Sequence, residues 1–137
     1  MKQNKIKKEN KKYAPTTSML DNDGKPLCWE FQHLTTKQNE DLRDKCTVDE
    51  PITGKPNMFR QKLLTSEYLV KMICASTVYP DLLDAELQDS YGVKTPEELV
   101  YAMIDDPGEY SKLTVWIQKF NGFDETLDEK IDEAKNS

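Results

Sequence analysis

The chain has 137 residues, 36% hydrophobic and 32% charged, with a formal net charge of −6. That length supports one modest hydrophobic core and excludes two. Apolar runs are only a few residues long, as at Val100–Ile104, so no segment reads as a bilayer-spanning helix or a secretory leader.

Charge is unevenly placed. Residues 1–12 carry six lysines against Glu9, whereas the remaining residues hold 13 basic and 24 acidic side chains. The first twelve residues therefore read as a disordered, solvated basic arm, and 13–137 as one globular domain. Lysines without interleaved aromatics carry no base readout, and an acidic body repels phosphate, so nucleic acid is not an expected partner. Three cysteines, Cys28, Cys46 and Cys74, with no CxxC spacing fit neither a disulfide framework nor a zinc site. A soluble intracellular domain is the expectation.

Taken in chain order, Leu27 to Leu34 alternates in the period of a strand, with Trp29, Phe31 and His33 on one parity. Asp21-Asn22-Asp23-Gly24 supplies turn chemistry before it, and residues 12–20 are the expected partner strand, with Pro15 pushing it toward an edge. A β-hairpin over 12–34 follows, then a helical body over 35–135. Thr35-Thr36-Lys37-Gln38 reads as a capping box opening a helix to about Cys46. Pro51, Gly54 and Pro56 make 47–64 read as a loop, with Met58–Leu64 as a short strand within it.

Thr65 is the expected cap of a helix over 66–79, apolar on most faces and ended by Pro80. Asp84 opens a short helix to Tyr91 carrying Leu83, Leu87 and Tyr91 on one side, and Gly92 stops it. Thr95-Pro96-Glu97-Glu98 and Asp106-Pro107-Gly108-Glu109 share one grammar: an N-cap, proline in the first turn and an acid at the third position. The second opens a helix with Leu113, Trp116, Ile117 and Phe120 recurring at helical spacing, closed by Gly122. Asp124 caps an expected last helix with a thin stripe of Leu127, Ile131 and Ala134. The fold class is α+β, mainly α: an N-terminal β-hairpin or small antiparallel sheet, then four to six short helices.

The residues offer little chemistry. His33 is the single histidine, which removes most metal sites and every imidazole pair, and its parity with Trp29 and Phe31 gives it a structural place. Five glycines stand singly at turns and helix ends, so no phosphate-cradling loop exists. Met19, Asp21, Asp23, Gly24 and Glu30 fall in an EF-hand register, but methionine at the first position and strand-like flanks make this a hairpin turn. The pairs Glu97/Glu98 and Asp105/Asp106 coincide with helix starts, where anions favour the dipole. Cys74 lies in the most apolar helix and reads as a small hydrophobe. No enzyme, cofactor or metal is implied. What remains is apolar surface: Tyr110, Trp116, Phe120 and Phe123 cluster in and after one helix, mostly as core, with a groove for a partner helix as the further reading.

Three segments together resemble the phage tail assembly chaperones of the XkdN-like family, known from phages and prophage-like elements of Gram-positive bacteria. They are Asp23–Phe31, Val78–Val93, and Pro107–Tyr110 with Asn121–Phe123; the middle one is the most distinctive. The resemblance spans 20–135 and leaves out the basic arm. It implies a non-catalytic protein that binds amphipathic helices of the tape measure protein and keeps it soluble until tail-tube subunits polymerise around it. Tail-tube subunits and a second copy of the chain are further candidate partners. The implied location is the bacterial host cytoplasm, with absence from the mature virion. Candidate partner-contacting residues are Tyr79, Tyr91, Tyr110, Trp116 and Phe123. The competing readings are a minor or tail-completion protein retained in the particle, and a DNA-binding regulator acting through the basic arm.

Overall fold

The computed structural model describes residues 6–124, 126 and 127. Strands β1 (Lys11–Tyr13) and β2 (Trp29–Phe31) pair antiparallel, with Lys11 opposite Phe31 and Tyr13 opposite Trp29. The pairing expected between the two ends of 12–34 is present, but the first strand is shorter than 12–20. The ladder ends at Tyr13, two residues before Pro15, which has no N–H to donate. A single bridge between Leu20 and Pro26 closes the far end around the Asp21 turn. There the Asp21 carboxylate accepts from the N–H groups of Asp23 at 2.8 Å and Lys25 at 3.0 Å, which is turn chemistry rather than ion ligation. Lys11 and Lys12, which the charge pattern groups with the arm, stand in β1.

Helix α1 (Thr36–Lys45) opens on the expected capping box: Thr35 Oγ1 accepts from the Gln38 N–H at 3.1 Å, and Gln38 Oε1 accepts from the Thr35 N–H at 2.9 Å. Residues 47–64 correct the reading as a loop. They form a second antiparallel hairpin, β3 (Thr47–Pro51) and β4 (Phe59–Leu63), in unbroken register from Thr47 opposite Leu63 to Pro51 opposite Phe59. The breakers Gly54 and Pro56 lie in its turn, where Gly54 (φ 77°) and Asn57 (φ 61°) adopt left-handed backbone.

A second correction concerns the central helix. Helix α2 (Thr65–Ser76) begins after Leu64, with no side-chain cap, so Thr65 is its first residue. It ends three residues before the expected boundary. Thr77 turns extended, its hydroxyl donating to the Ile73 carbonyl at 2.6 Å. Residues Thr77–Tyr79 form β5, which pairs with β2 and completes a three-stranded sheet in the order β1-β2-β5. Pro80 disfavours helical backbone at Tyr79, and β-branched Thr77 and Val78 suit a strand.

Helices α3 (Ala85–Ser90), α4 (Pro96–Met103) and α5 (Pro107–Phe120) carry the expected caps, with Asp84, Thr95 and Asp106 accepting from the backbone N–H groups of Glu86, Glu98 and Glu109. The expected helix from Asp124 through Ile131 and Ala134 lies largely outside the described residues. The core joins Trp29 and Phe31 of the sheet to Tyr68, Met72 and Ile73 of α2, Leu99 and Val100 of α4, and Leu113 and Ile117 of α5. Helix α2 is central because α1, α4 and α5 all pack on it, which explains its small polar surface. The result is the mixed, mainly helical α+β class read from the sequence.

Candidate partner-binding surface

The aromatic residues divide into a packed set and an exposed set. Trp116 on α5 stacks on Tyr13 of β1 (centroids 4.5 Å apart) and on Phe120 (5.0 Å), and meets Phe31 at 5.0 Å. Phe120 in turn stacks on His33 at 3.9 Å. This row of rings fastens the sheet to α5, each contact adding about 0.5–1.5 kcal/mol beyond area burial. Tyr110 is half-buried and meets Tyr101 at 5.4 Å; burial, then its hydrogen bond to Tyr101, raises its hydroxyl pKa far above the ordinary value. Phe123 is half-buried against the core. Of the five candidate contact residues, Tyr110, Trp116 and Phe123 thus act mainly in packing. Trp116 leaves one edge in a shallow groove with Tyr13, Val115 and the stems of Lys112 and Lys119.

Tyr79 and Tyr91 differ. Tyr79 is 53% exposed on β5, an edge of the sheet, and Tyr91 is exposed just after α3. Between them stands Leu83, 75% exposed, which sequence periodicity places on one side of this helix with Leu87 and Tyr91. Helix α3 begins only at Ala85, so Leu83 precedes it and escapes that periodicity. Its neighbour Leu82 is buried and takes the anchoring role. The signal available in the sequence was the pair Leu82-Leu83 between Pro80 and the Asp84 cap: two adjacent leucines in a turn cannot both face one core.

The turn carrying Leu83 is firmly held. Asp81 Oδ1 accepts from the Leu83 N–H at 3.1 Å, Asp84 Oδ1 from the Glu86 N–H at 3.0 Å, and the Leu82 carbonyl from Gln88 Nε2 at 2.8 Å. Leu82 and Leu83 line a groove of about 280 Å³ with Leu42 of α1, Cys74 and Ala75 of α2, and Pro96 of α4. Lys71 and Glu97 form an ion pair across it at 3.1 Å, and the Glu97 hydrogen bond raises the Lys71 pKa. Burial pushes the Cys74 thiol up to about 12, so it serves as apolar lining rather than nucleophile. An apolar floor, one satisfied ion pair and a rigid projecting leucine suit the capture of an apolar side chain, not bond chemistry. Among the described residues no cluster of His, Cys, Asp and Glu suits a metal ion, and no helix is long and apolar enough to cross a membrane.

The family model for the phage XkdN-like tail assembly chaperone protein matches residues 1–135. The chain belongs to that family. Family membership assigns it a general role in tail assembly rather than in catalysis. Among curated proteins it is similar to the XkdN protein of the phage-like element PBSX of Bacillus subtilis strain 168, 25% identical over 134 residues, covering 96% of this chain and 87% of that protein. It is also similar to the uncharacterized protein YqbN of the same strain, 26% identical over 120 residues, covering 85% of this chain and 77% of YqbN. A crystal structure of YqbN superposes with a TM-score of 0.71 at 22% identity, covering 88% of this chain and 90% of that one, which shows that the two chains share a fold. The family match runs through the basic arm, which the sequence resemblance had left out.

Proposed function

We propose that this tail assembly chaperone binds amphipathic helices of the tape measure protein and keeps that protein soluble until tail-tube subunits polymerise around it. The observation that carries this is the groove beneath Leu83: an apolar floor of Leu42, Cys74, Ala75, Leu82 and Pro96 beside the charged Lys45, Lys71, Asp81 and Glu97, with a fixed turn above it. An amphipathic helix would lay one or two apolar side chains into the groove while its polar face stays in water. A contact this small is individually weak, and several copies along one long client add avidity without any new contact. Tube subunits competing for the same client face then displace the copies by mass action, with no nucleotide needed. On this reading the protein works in the cytoplasm of the bacterial host and is absent from the mature virion.

The test is co-expression with the cognate tape measure protein, followed by solubility and pull-down assays. The tape measure becomes soluble and co-purifies with the unaltered chain, and does so less with Leu83→Ser. An insoluble tape measure with nothing co-purifying overturns the proposal. Mass spectrometry of purified particles separates it from the retained-component reading, which requires the chain to be present there.

A further inference from the structure

Two surfaces of the molecule are chemically complementary. From Met72 to Val93 the sequence holds four acids, Asp81, Asp84, Glu86 and Asp89, and no lysine or arginine. The same stretch exposes Val78, Tyr79, Leu83 and Tyr91. From Pro51 to Ser66 it holds three bases, Lys55, Arg60 and Lys62, and no acid. That stretch exposes Met58 and Phe59, at 52% and 59%. Most of the large apolar side chains left in water among the described residues fall in these two stretches, one holding only acidic charges and the other only basic ones, although Lys45 and Lys71 line the groove beside the first and Asp49 and Glu50 of β3 flank the second.

The basic patch is the turn and the β4 strand of the β3–β4 hairpin. Its strands pair with each other, and every residue of β4 before Leu63 is exposed. A two-stranded hairpin open on both faces is marginally stable in water and gains from a covering partner. Glu50 reaches Arg60 at 3.1 Å and Lys62 at 3.7 Å, lining both cations along one face. These pairs are exposed and contribute little by themselves, so they yield readily to a better-placed anion.

We propose that a second copy of this chain lays its β3–β4 hairpin on the acidic apolar surface of residues 77–92. Like-to-like contacts are disfavoured by charge: two hairpins would oppose Lys55, Arg60 and Lys62, and two 77–92 surfaces would oppose their carboxylates. The hairpin begins at Thr47, two residues after Lys45, which lines the groove beside Leu83. Both halves of the contact are therefore rooted side by side on one copy, and made twice the contact closes about a two-fold axis as a dimer. For regulation, the inference rests on the proposed client site: the partner's hairpin covers Leu83 until a tape measure helix displaces it, so apolar surface is not left in water between clients.

The test is sedimentation velocity on the full chain without any tape measure. The unaltered chain sediments as a dimer at low salt and shifts toward monomer at high salt, as expected for a contact selected by charge. Arg60→Glu with Lys62→Glu, and separately Glu86→Lys with Asp89→Lys, each give monomers, and mixing the two variants restores a species of twice the mass. Circular dichroism confirms that both variants fold, and the salt series on the unaltered chain needs no variant. A chain that stays monomeric at low salt overturns the inference, as does a dimer insensitive to both salt and the charge reversals. Because no client is present, self-association fails or stands independently of the co-expression result.

Discussion

Thr16 and Glu109 are joined across the fold: the Thr16 hydroxyl donates to Glu109 Oε1 at 2.7 Å, and the adjacent Thr17 N–H donates to Oε2 at 2.8 Å. One carboxylate, at the third position of α5, thereby holds the long segment between β1 and β2. Thr16 is buried despite lying in that segment. Glu109→Ala should free this segment while leaving the helices intact. Limited proteolysis is the check, with new cleavage expected between Tyr13 and Leu20 and unchanged far-ultraviolet dichroism.

The same contact predicts a pH dependence. The Thr16 hydroxyl, then the Thr17 N–H, lowers the Glu109 pKa below its ordinary value of 4.5. A carboxyl whose folded pKa is depressed binds fewer protons when folded, so its stabilisation is present above 4.5 and lost as pH falls through the lowered value. A thermal series should show the Tm of Glu109→Gln converging on that of the unaltered chain in strong acid and lying below it near neutrality. A constant offset at all pH values would refute the assignment.

Asn121 joins three elements just beyond α5. Its Oδ1 accepts from the Leu34 N–H at 2.9 Å, and its Nδ2 donates to Ser76 Oγ at 3.2 Å and to the Ile117 carbonyl at 3.0 Å. Alanine there leaves the Leu34 N–H without its acceptor, at a cost of about 1–3 kcal/mol. Urea unfolding should show the midpoint falling with an unchanged slope.

Trp116→Ala should act on stability before recognition. It removes the stacking partner of both Tyr13 and Phe120, costing about 2–3 kcal/mol at a half-buried site. Hydrogen exchange should accelerate in β1, which the Tyr13 stack holds down. Leu83→Ser, by contrast, should change stability by no more than about 0.5 kcal/mol, because the side chain faces water.

Thiol reactivity should separate the three cysteines. Cys28 is exposed, Cys46 is buried, and the Cys74 thiol is pushed up to about 12 by burial. Titration with a disulfide reagent should modify Cys28 first in the folded protein, and all three only in denaturant. Fast modification of Cys74 would show that α2 is less well packed than its contacts indicate.

What the sequence by itself determined was local. Capping at Thr35, Asp84, Thr95 and Asp106 was legible because each cap is a contact between residues two or three positions apart, and so was the buried face of β2 from its alternation. Family membership was legible in the Val78–Val93 segment. Tertiary structure alone decided that Thr77–Tyr79 leaves α2 to complete the sheet, since the hydrogen bonds rewarding that choice come from β2, more than forty residues away. It also decided that 47–64 folds as a hairpin, because Pro51, Gly54 and Pro56 look the same in a loop and in the turn between paired strands. Finally, it sorted the aromatic residues: periodicity shows that Trp116 and Tyr79 have apolar faces, but only packing shows that Trp116 is covered by Tyr13 and Phe31 while Tyr79 and Leu83 stand in water. Contacts between residues distant in sequence leave no local pattern, and a surface is defined by what fails to cover it.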